Sequence, residues 1–203
     1  MGHSTLLHVN YSGLTPFNAS GTSLNQFGIY TGSPNTGEYV SGTSNKLVFH
    51  GNENPWVYFH MNNDDTYTDI TLDIQSMIMG GGSQIFINFR SDITSYPRGY
   101  QLVLSESAGA LEWRKQDPYS GWIPTAKYIL YSFSTPCKLR IKFEGEVMSV
   151  WINDVFVDSC DYTGFQPTWI YPKGRTMLTQ YGSNDFQFNS ILYKGDRLDN
   201  ITI

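Results

Sequence analysis

The chain has 203 residues, with 13 Lys plus Arg against 18 Asp plus Glu and a formal net charge of −5. That length is enough for one large core, and all-β sandwiches commonly reach it, so one domain over residues 1–203 is the expectation. The acidic balance, with no basic run anywhere, sets a phosphate backbone aside, and no nucleic acid partner is expected.

Only 15% of the residues are charged, while Gly numbers 19, Tyr 14 and Phe 12. That profile belongs to strands, turns and large amphipathic rings rather than to helices, and no segment shows convincing helical periodicity. No apolar run reaches the length of a membrane span, so no membrane insertion is expected. Residues 1–10 lack the charged and apolar regions of a signal peptide, and Leu6 breaks the myristoylation pattern. Synthesis in the cytosol without a leader is therefore the expectation.

Thr5–Asn10 reads as an opening strand. The segment to Ser44 is rich in Gly, Ser, Thr and Asn, with weaker strand signals at Phe27–Tyr30 and Glu38–Val40, and is expected to pack on the sandwich as a loop-rich N-terminal piece (residues 1–44). Lys46–His50 and Trp56–Met61 read as a pair across Gly51-Asn52-Glu53-Asn54-Pro55, a run with strong turn chemistry. Thr68–Ser76 alternates cleanly, with Ile70, Leu72 and Ile74 against Thr71, Asp73 and Gln75. After Gly80-Gly81-Gly82, Gln84–Arg90 alternates again, and Tyr100–Glu106 and Leu111–Lys115 follow. Asp117–Pro124 is a turn-rich loop carrying Tyr119 and Trp122.

Lys138–Asp158 is the clearest stretch. Leu139, Ile141 and Phe143, then Met148, Val150 and Ile152, alternate with more polar residues, so three antiparallel strands each present one face to a core. Gly145 supplies positive φ for the first turn, and Asn153-Asp154 suit a two-residue hairpin. This register separates Cys137 from Cys160 by several residues of strand at ~3.3 Å each, beyond the roughly 7 Å that a disulfide allows. Both should be free, buried thiols. Thr176–Tyr181, Phe186–Tyr193 and Leu198–Ile203 read as the last strands. About a dozen strands without intervening helices imply two stacked antiparallel sheets.

The order of these elements resembles the concanavalin A-like lectin and glucanase superfamily, the laminin G-like jelly rolls. The matching pieces are TDITLDI (Thr68–Ile74), IFINFR (Ile85–Arg90), GYQLVL (Gly99–Leu104), LRIKFEGEVMSVWINDVFV (Leu139–Val157) and LDNITI (Leu198–Ile203). The resemblance covers roughly residues 45–203 and implies a single-domain β-sandwich. Members include lectins, carbohydrate-binding modules, glycoside hydrolases and adhesion or virion-surface domains. The glucanases place E-x-D-x-x-E on one strand; the nearest strand here, Asp69 to Gln75, offers no Glu, which speaks against an enzyme. Asp73 with Glu112 across strands is the remaining carboxylate pair that could serve hydrolysis. The resemblance also implies a calcium ion held from the position of Asp199. No other cofactor is expected, and His3, His8, His50 and His60 lack metal-ligand spacing.

The residues opposite the apolar positions are Asp73, Asn88, Arg90, Gln101, Glu112, Arg114, Arg140, Lys142, Ser149 and Trp151. If their strands share one sheet, one face presents planar hydrogen-bonding groups beside an indole, the combination that binds sugars. Asp73, Arg90, Gln101 and Trp151 are then the floor of a ligand site, with Tyr119 and Trp122 as rim aromatics. A face covered by cross-strand ion pairs and partner contacts is the alternative. Phe165, Trp169, Ile170 and Tyr171 form an aromatic loop that either marks an interface or plugs the end of the sandwich. A Gly- and Ser-rich segment such as 11–44 is most easily ordered against neighbours. The expectation is therefore a non-catalytic, lectin-like module on the surface of a larger assembly such as a virion, recognising glycan or a neighbouring subunit. A homo-oligomer, a purely structural subunit and a glycoside hydrolase are the other readings.

Overall fold

Seventeen strands lie among the described residues, with no helix among them. They are β1 (Ser4–Asn10), β2 (Phe17–Asn18), β3 (Phe27–Thr31), β4 (Val40–Thr43), β5 (Lys46–Phe49), β6 (Val57–Met61), β7 (Tyr67–Met79), β8 (Gln84–Ser91), β9 (Tyr100–Ser105), β10 (Ala110–Lys115), β11 (Thr125–Leu130), β12 (Cys137–Glu144), β13 (Val147–Ile152), β14 (Val155–Asp161), β15 (Arg175–Tyr181), β16 (Phe186–Phe188) and β17 (Ser190–Arg197). The computed structural model describes residues 4–10, 17–18, 27–31, 40–43, 46–49, 57–61, 67–91, 99–116, 124–165, 171, 175–182 and 184–197. Side chains are described for residues 48–49, 69–91, 99–116, 124–165, 171, 176–182 and 184–192.

The strands form two antiparallel sheets. A ten-stranded sheet runs β14-β13-β12-β7-β16-β5-β4-β2, with β17 also on β7 and β1 on β17; a seven-stranded sheet runs β11-β10-β9-β8-β15-β6-β3. The long strand β7 divides its second edge between two partners. Residues from Tyr67 to Gln75 pair β17, Ile78 and Met79 pair β16, and Ser76, at φ 52°, turns the backbone between them.

Alternation supplies the core. Ile70, Leu72 and Ile74 of β7, Leu139, Ile141 and Phe143 of β12, and Met148 and Val150 of β13 meet Ile85, Ile87 and Phe89 of β8, Tyr100, Leu102 and Leu104 of β9, and Leu111 and Trp113 of β10. Each fully buried aliphatic or Phe side chain contributes about 1.5–3 kcal/mol relative to exposure. The turns follow local chemistry as expected, with Gly145 at φ 55° between β12 and β13, and Asn153 and Asp154 at φ 51° and 63° between β13 and β14. Asn153 Oδ1 accepts from the Lys138 backbone N–H at 2.8 Å, tying that turn to the start of β12.

Cys137 opposite Met77 and Cys160 opposite Met148 are free and buried, as expected. Burial pushes both thiols up to about 11.

Two expectations need correction, and one strand was missed. Lys46–His50 and Trp56–Met61 do not pair: β5 lies between β4 and β16, whereas β6 lies between β3 and β15 in the other sheet. Turn chemistry between two strands does not tell which sheet the second of them joins. Phe186–Tyr193 is broken at Asn189 into β16 and β17, whose partners on β7 lie on either side of Ser76. Strand β11 was not anticipated, because the bulge at Ala126 interrupts its alternation. Leu198–Ile203 lies outside the described residues.

Of the aromatic loop, Tyr171 is buried and its hydroxyl donates to the Gln116 carbonyl at 2.7 Å. Phe165 packs edge-on against Tyr162 at 6.4 Å. These two close the sandwich end; Trp169 and Ile170 lie outside the described residues.

Candidate functional site

The anticipated ligand set is not assembled on one surface. Asp73 and Trp151 do share the outward face of the ten-stranded sheet, joined by the cross-strand row Asp73, Arg140, Trp151 and Phe156. Gln101 lies on the outward face of the other sheet, opposite Asn88. Arg90 lies on neither face, and Tyr119 and Trp122 fall outside the described residues. Alternation tells which residues of one strand point together; it carries no information on which sheet the strand joins.

Arg90 departs from alternation because its backbone sits at φ 50°, a conformation uncommon outside glycine. The turned guanidinium lies 4.3 Å from the Phe143 ring centre. It donates to the Gly145 carbonyl at 2.7 Å and to Glu146 Oε1 at 3.1 Å, and approaches Asp69 at 3.5 Å. Glu146 also accepts from the Tyr100 hydroxyl, and Asp69 accepts from the Gly145 N–H at 2.9 Å. Burial, and the hydrogen bond to Glu146, push the Tyr100 hydroxyl well above its ordinary value. Lys115 turns inward beside Tyr100, where burial lowers its ammonium pKa against the opposing pull of Glu146. This cluster clamps the β12–β13 turn to the end of β8 and is structural.

The outward face of the seven-stranded sheet has a different character. Its register sets three rows across β15, β8, β9, β10 and β11. The first is Tyr181, Gln84, Ser105, Ala110 and Leu130; the second Thr179, Phe86, Val103, Glu112 and Tyr128; the third Met177, Asn88, Gln101, Arg114 and Thr125. Although these side chains point away from the core, Asn88 is 3% exposed, Gln101 7% and Thr179 2%. Gln101 Nε2 donates to Asn88 Oδ1 at 2.8 Å. The other amide atoms of that pair, Asn88 Nδ2 and Gln101 Oε1, are buried without a partner, as are Arg114 Nε and Thr179 Oγ1. A buried polar atom left unpaired costs about 1–3 kcal/mol, so each of these four would gain from a hydrogen-bonding partner, ordered water included.

Glu112 is the one carboxylate in these rows. It accepts from Arg114 Nη2 at 2.5 Å and from the Thr125 hydroxyl. Burial alone would raise its carboxyl, but those hydrogen bonds and the Arg114 charge outweigh burial and hold it below the ordinary carboxylate value. Arg114 lies 5.9 Å from the Phe86 ring centre, and Tyr128, opposite Glu112, is 51% exposed. The rows therefore combine amide, guanidinium, carboxylate and hydroxyl groups with three aromatic rings, Phe86, Tyr128 and Tyr181. The suggested carboxylate pair is not formed: Asp73 and Glu112 sit on opposite outer faces, with the sheet-to-sheet spacing of about 10 Å and both sheets between them, farther than the roughly 9.5 Å limit for a hydrolytic pair.

Sequence reasoning placed Asn88, Gln101, Glu112 and Arg114 in its polar set but passed over Phe86, Thr179 and Tyr128. Phe86 was visible as an aromatic residue on the polar parity of β8. Thr179 and Tyr128 depend on the pairing of β15 and β11, which is long-range. Among the described residues no group of three or more His, Cys, Asp or Glu could hold a metal ion; Asp199 lies outside them.

The architecture is a two-sheet β-sandwich, a fold that it shares with several solved structures. A carbohydrate binding module, CBM66 from Bacillus subtilis, superimposes with a TM-score of 0.62 at 14% identity, over 84% of this chain and 98% of that one. An endo-beta-1,3-glucanase from Pyrococcus furiosus gives 0.63 at 9% identity, over 95% and 94%. The carbohydrate recognition domain of Emp46p, in its potassium-bound form, gives 0.58 at 9% identity, over 83% and 88%. At these identities the likeness speaks for the fold, and function has to be argued from the site. The sequence matches no protein-family model and no curated protein.

Proposed function

We propose that this chain is a non-catalytic carbohydrate-binding module whose ligand lies on the outward face of the seven-stranded sheet. The observation that carries this reading is the set of four buried, unpaired polar atoms on Asn88, Gln101, Arg114 and Thr179, gathered beside Phe86 on one face. Sugar hydroxyls both donate and accept, so one saccharide can satisfy the donors of Asn88 and Arg114 and the acceptor of Gln101. Its C–H surface can pack on Phe86 and Tyr128. The named structural neighbours, a carbohydrate binding module, a carbohydrate recognition domain and a glucanase, are consistent with such a ligand.

Glu112, the carboxylate of these rows, is poorly suited to be the general acid of a hydrolase. A general acid needs a carboxyl held above its usual value, whereas Glu112 is held below it and engaged by Arg114 and Thr125. On a printed glycan array the wild-type protein should bind a defined set of spots, and Gln101→Ala or Asn88→Ala should weaken them about tenfold or more, the size of losing a buried polar contact. Binding unchanged by both substitutions would remove the reading. Reducing sugar released by the wild type and lost in Glu112→Gln would overturn its non-catalytic part.

A further inference from the structure

We propose that the outward face of the ten-stranded sheet carries a second, separate platform for an uncharged, hydroxyl-bearing sugar unit, built from Trp151, Phe156 and Arg140. Trp151 and Phe156 sit directly opposite each other on β13 and β14. Their ring centres are 5.5 Å apart at 64°, with Phe156 53% exposed and Trp151 half-buried. Such a pair offers a bent apolar surface on which a sugar ring can lie.

Arg140, next to Trp151 in the same row, supplies the polar side. Its Nε donates to Asp73 Oδ1 at 2.6 Å and its Nη2 to Asp73 Oδ2 at 3.4 Å. The nearest carboxylate to Nη1 is Asp154 at 3.9 Å, too long for a hydrogen bond. The Nη1 donors therefore remain available beside the indole, on a side chain that is 40% exposed and held in place by Asp73, itself 8% exposed.

Charge decides the class of ligand. Arg140 is matched by Asp73, and Lys138 is matched by Asp154 at 2.7 Å. The two cations and two anions cancel within the patch, so it has no net attraction for an anionic or cationic partner, while hydroxyls can still use the exposed N–H and carboxylate positions.

The neighbouring edge also disfavours a second copy of the chain. Strand β14 carries a bulge at Val157. Its Asp158 accepts from Lys127 Nζ of β11 at 2.7 Å, and Lys127 also donates to the Ser159 carbonyl at 2.8 Å. A bulge and a charge pair that stitches the two sheet edges together are devices that oppose strand addition.

This platform is independent of the first site, because the whole sandwich lies between them, so one molecule would hold two glycans and cross-link them. The test is a printed array of neutral and anionic glycans probed with wild type, Trp151→Ala, Phe156→Ser and Gln101→Ala. Unchanged melting transitions for the variants confirm that each still folds. A subset of neutral spots weakened about tenfold or more by both Trp151→Ala and Phe156→Ser, yet retained by Gln101→Ala, is the expected result. If Gln101→Ala removes every spot and the two aromatic substitutions remove none, the second platform falls and the first site stands. If the aromatic substitutions remove every spot and Gln101→Ala none, the first site falls and this one stands. Loss confined to anionic spots would overturn the proposal. So would sedimentation showing a dimer that Phe156→Ser converts to monomer.

Discussion

Replacing Arg90 with methionine should lower stability by about 3 kcal/mol, the cost of removing one partner from a buried ion pair. Glu146 and Asp69 would lose the guanidinium, and the Gly145 carbonyl would lose its 2.7 Å donor. The Arg90 side chain is 4% exposed while Glu146 is 19% and Asp69 35% exposed, so water would recover part of the carboxylate loss and the effect should not exceed this size. Arg90→Lys should rescue little, because an ammonium cannot hold these acceptors in a fork while keeping its charge over the Phe143 ring. Arg90→Gly separates backbone from side chain: it relieves the φ 50° conformation yet should still destabilise the protein. Urea denaturation measures all three; a loss below about 1 kcal/mol for Arg90→Met would show that the cluster adds little.

Gly99→Ala should cost a similar amount, about 3 kcal/mol from steric and backbone strain together. A Cβ at this position would lie 2.5 Å from the Phe89 carbonyl oxygen and 3.0 Å from that of Arg90, on a backbone at φ 152°. The obstacle is main chain, which cannot swing aside as a side chain could. Relief would require β9 to shift against β8 where Phe89 faces Tyr100, next to the Asn88–Gln101 pair. The melting temperature should therefore fall by about 6–12 °C for a chain of this size, and glycan binding should weaken with it. An unchanged melting temperature would mean that the close approach is accommodated elsewhere.

What could be read before the structure was local. Gly145 and Asn153-Asp154 announced their turns because positive φ is a property of those residues themselves. The inward rows of β7, β8, β12 and β13 followed from parity alone. Sheet membership depends on partners far along the chain: β5 faces β16 near the end of the sequence, and β6 faces β15. That long-range choice separated Asp73, Arg140 and Trp151 from Asn88, Gln101 and Arg114. Arg90 was misplaced for another reason, since a single left-handed residue reverses side-chain direction without changing the residue pattern. Strand β11 hid behind its bulge and its exposed Leu130, which is 78% accessible and blurs the apolar face.

The most direct measurement follows the side-chain amide resonances of Asn88 and Gln101 by 15N NMR while the array-selected glycan is titrated in. The Asn88 amide, whose Nδ2 is unpaired, and the Gln101 amide, whose Oε1 is unpaired, should shift in proportion to occupancy, together with backbone signals of Phe86 and Arg114. Saturable binding that leaves both side-chain amides unmoved would place the glycan elsewhere and contradict the assignment of this face.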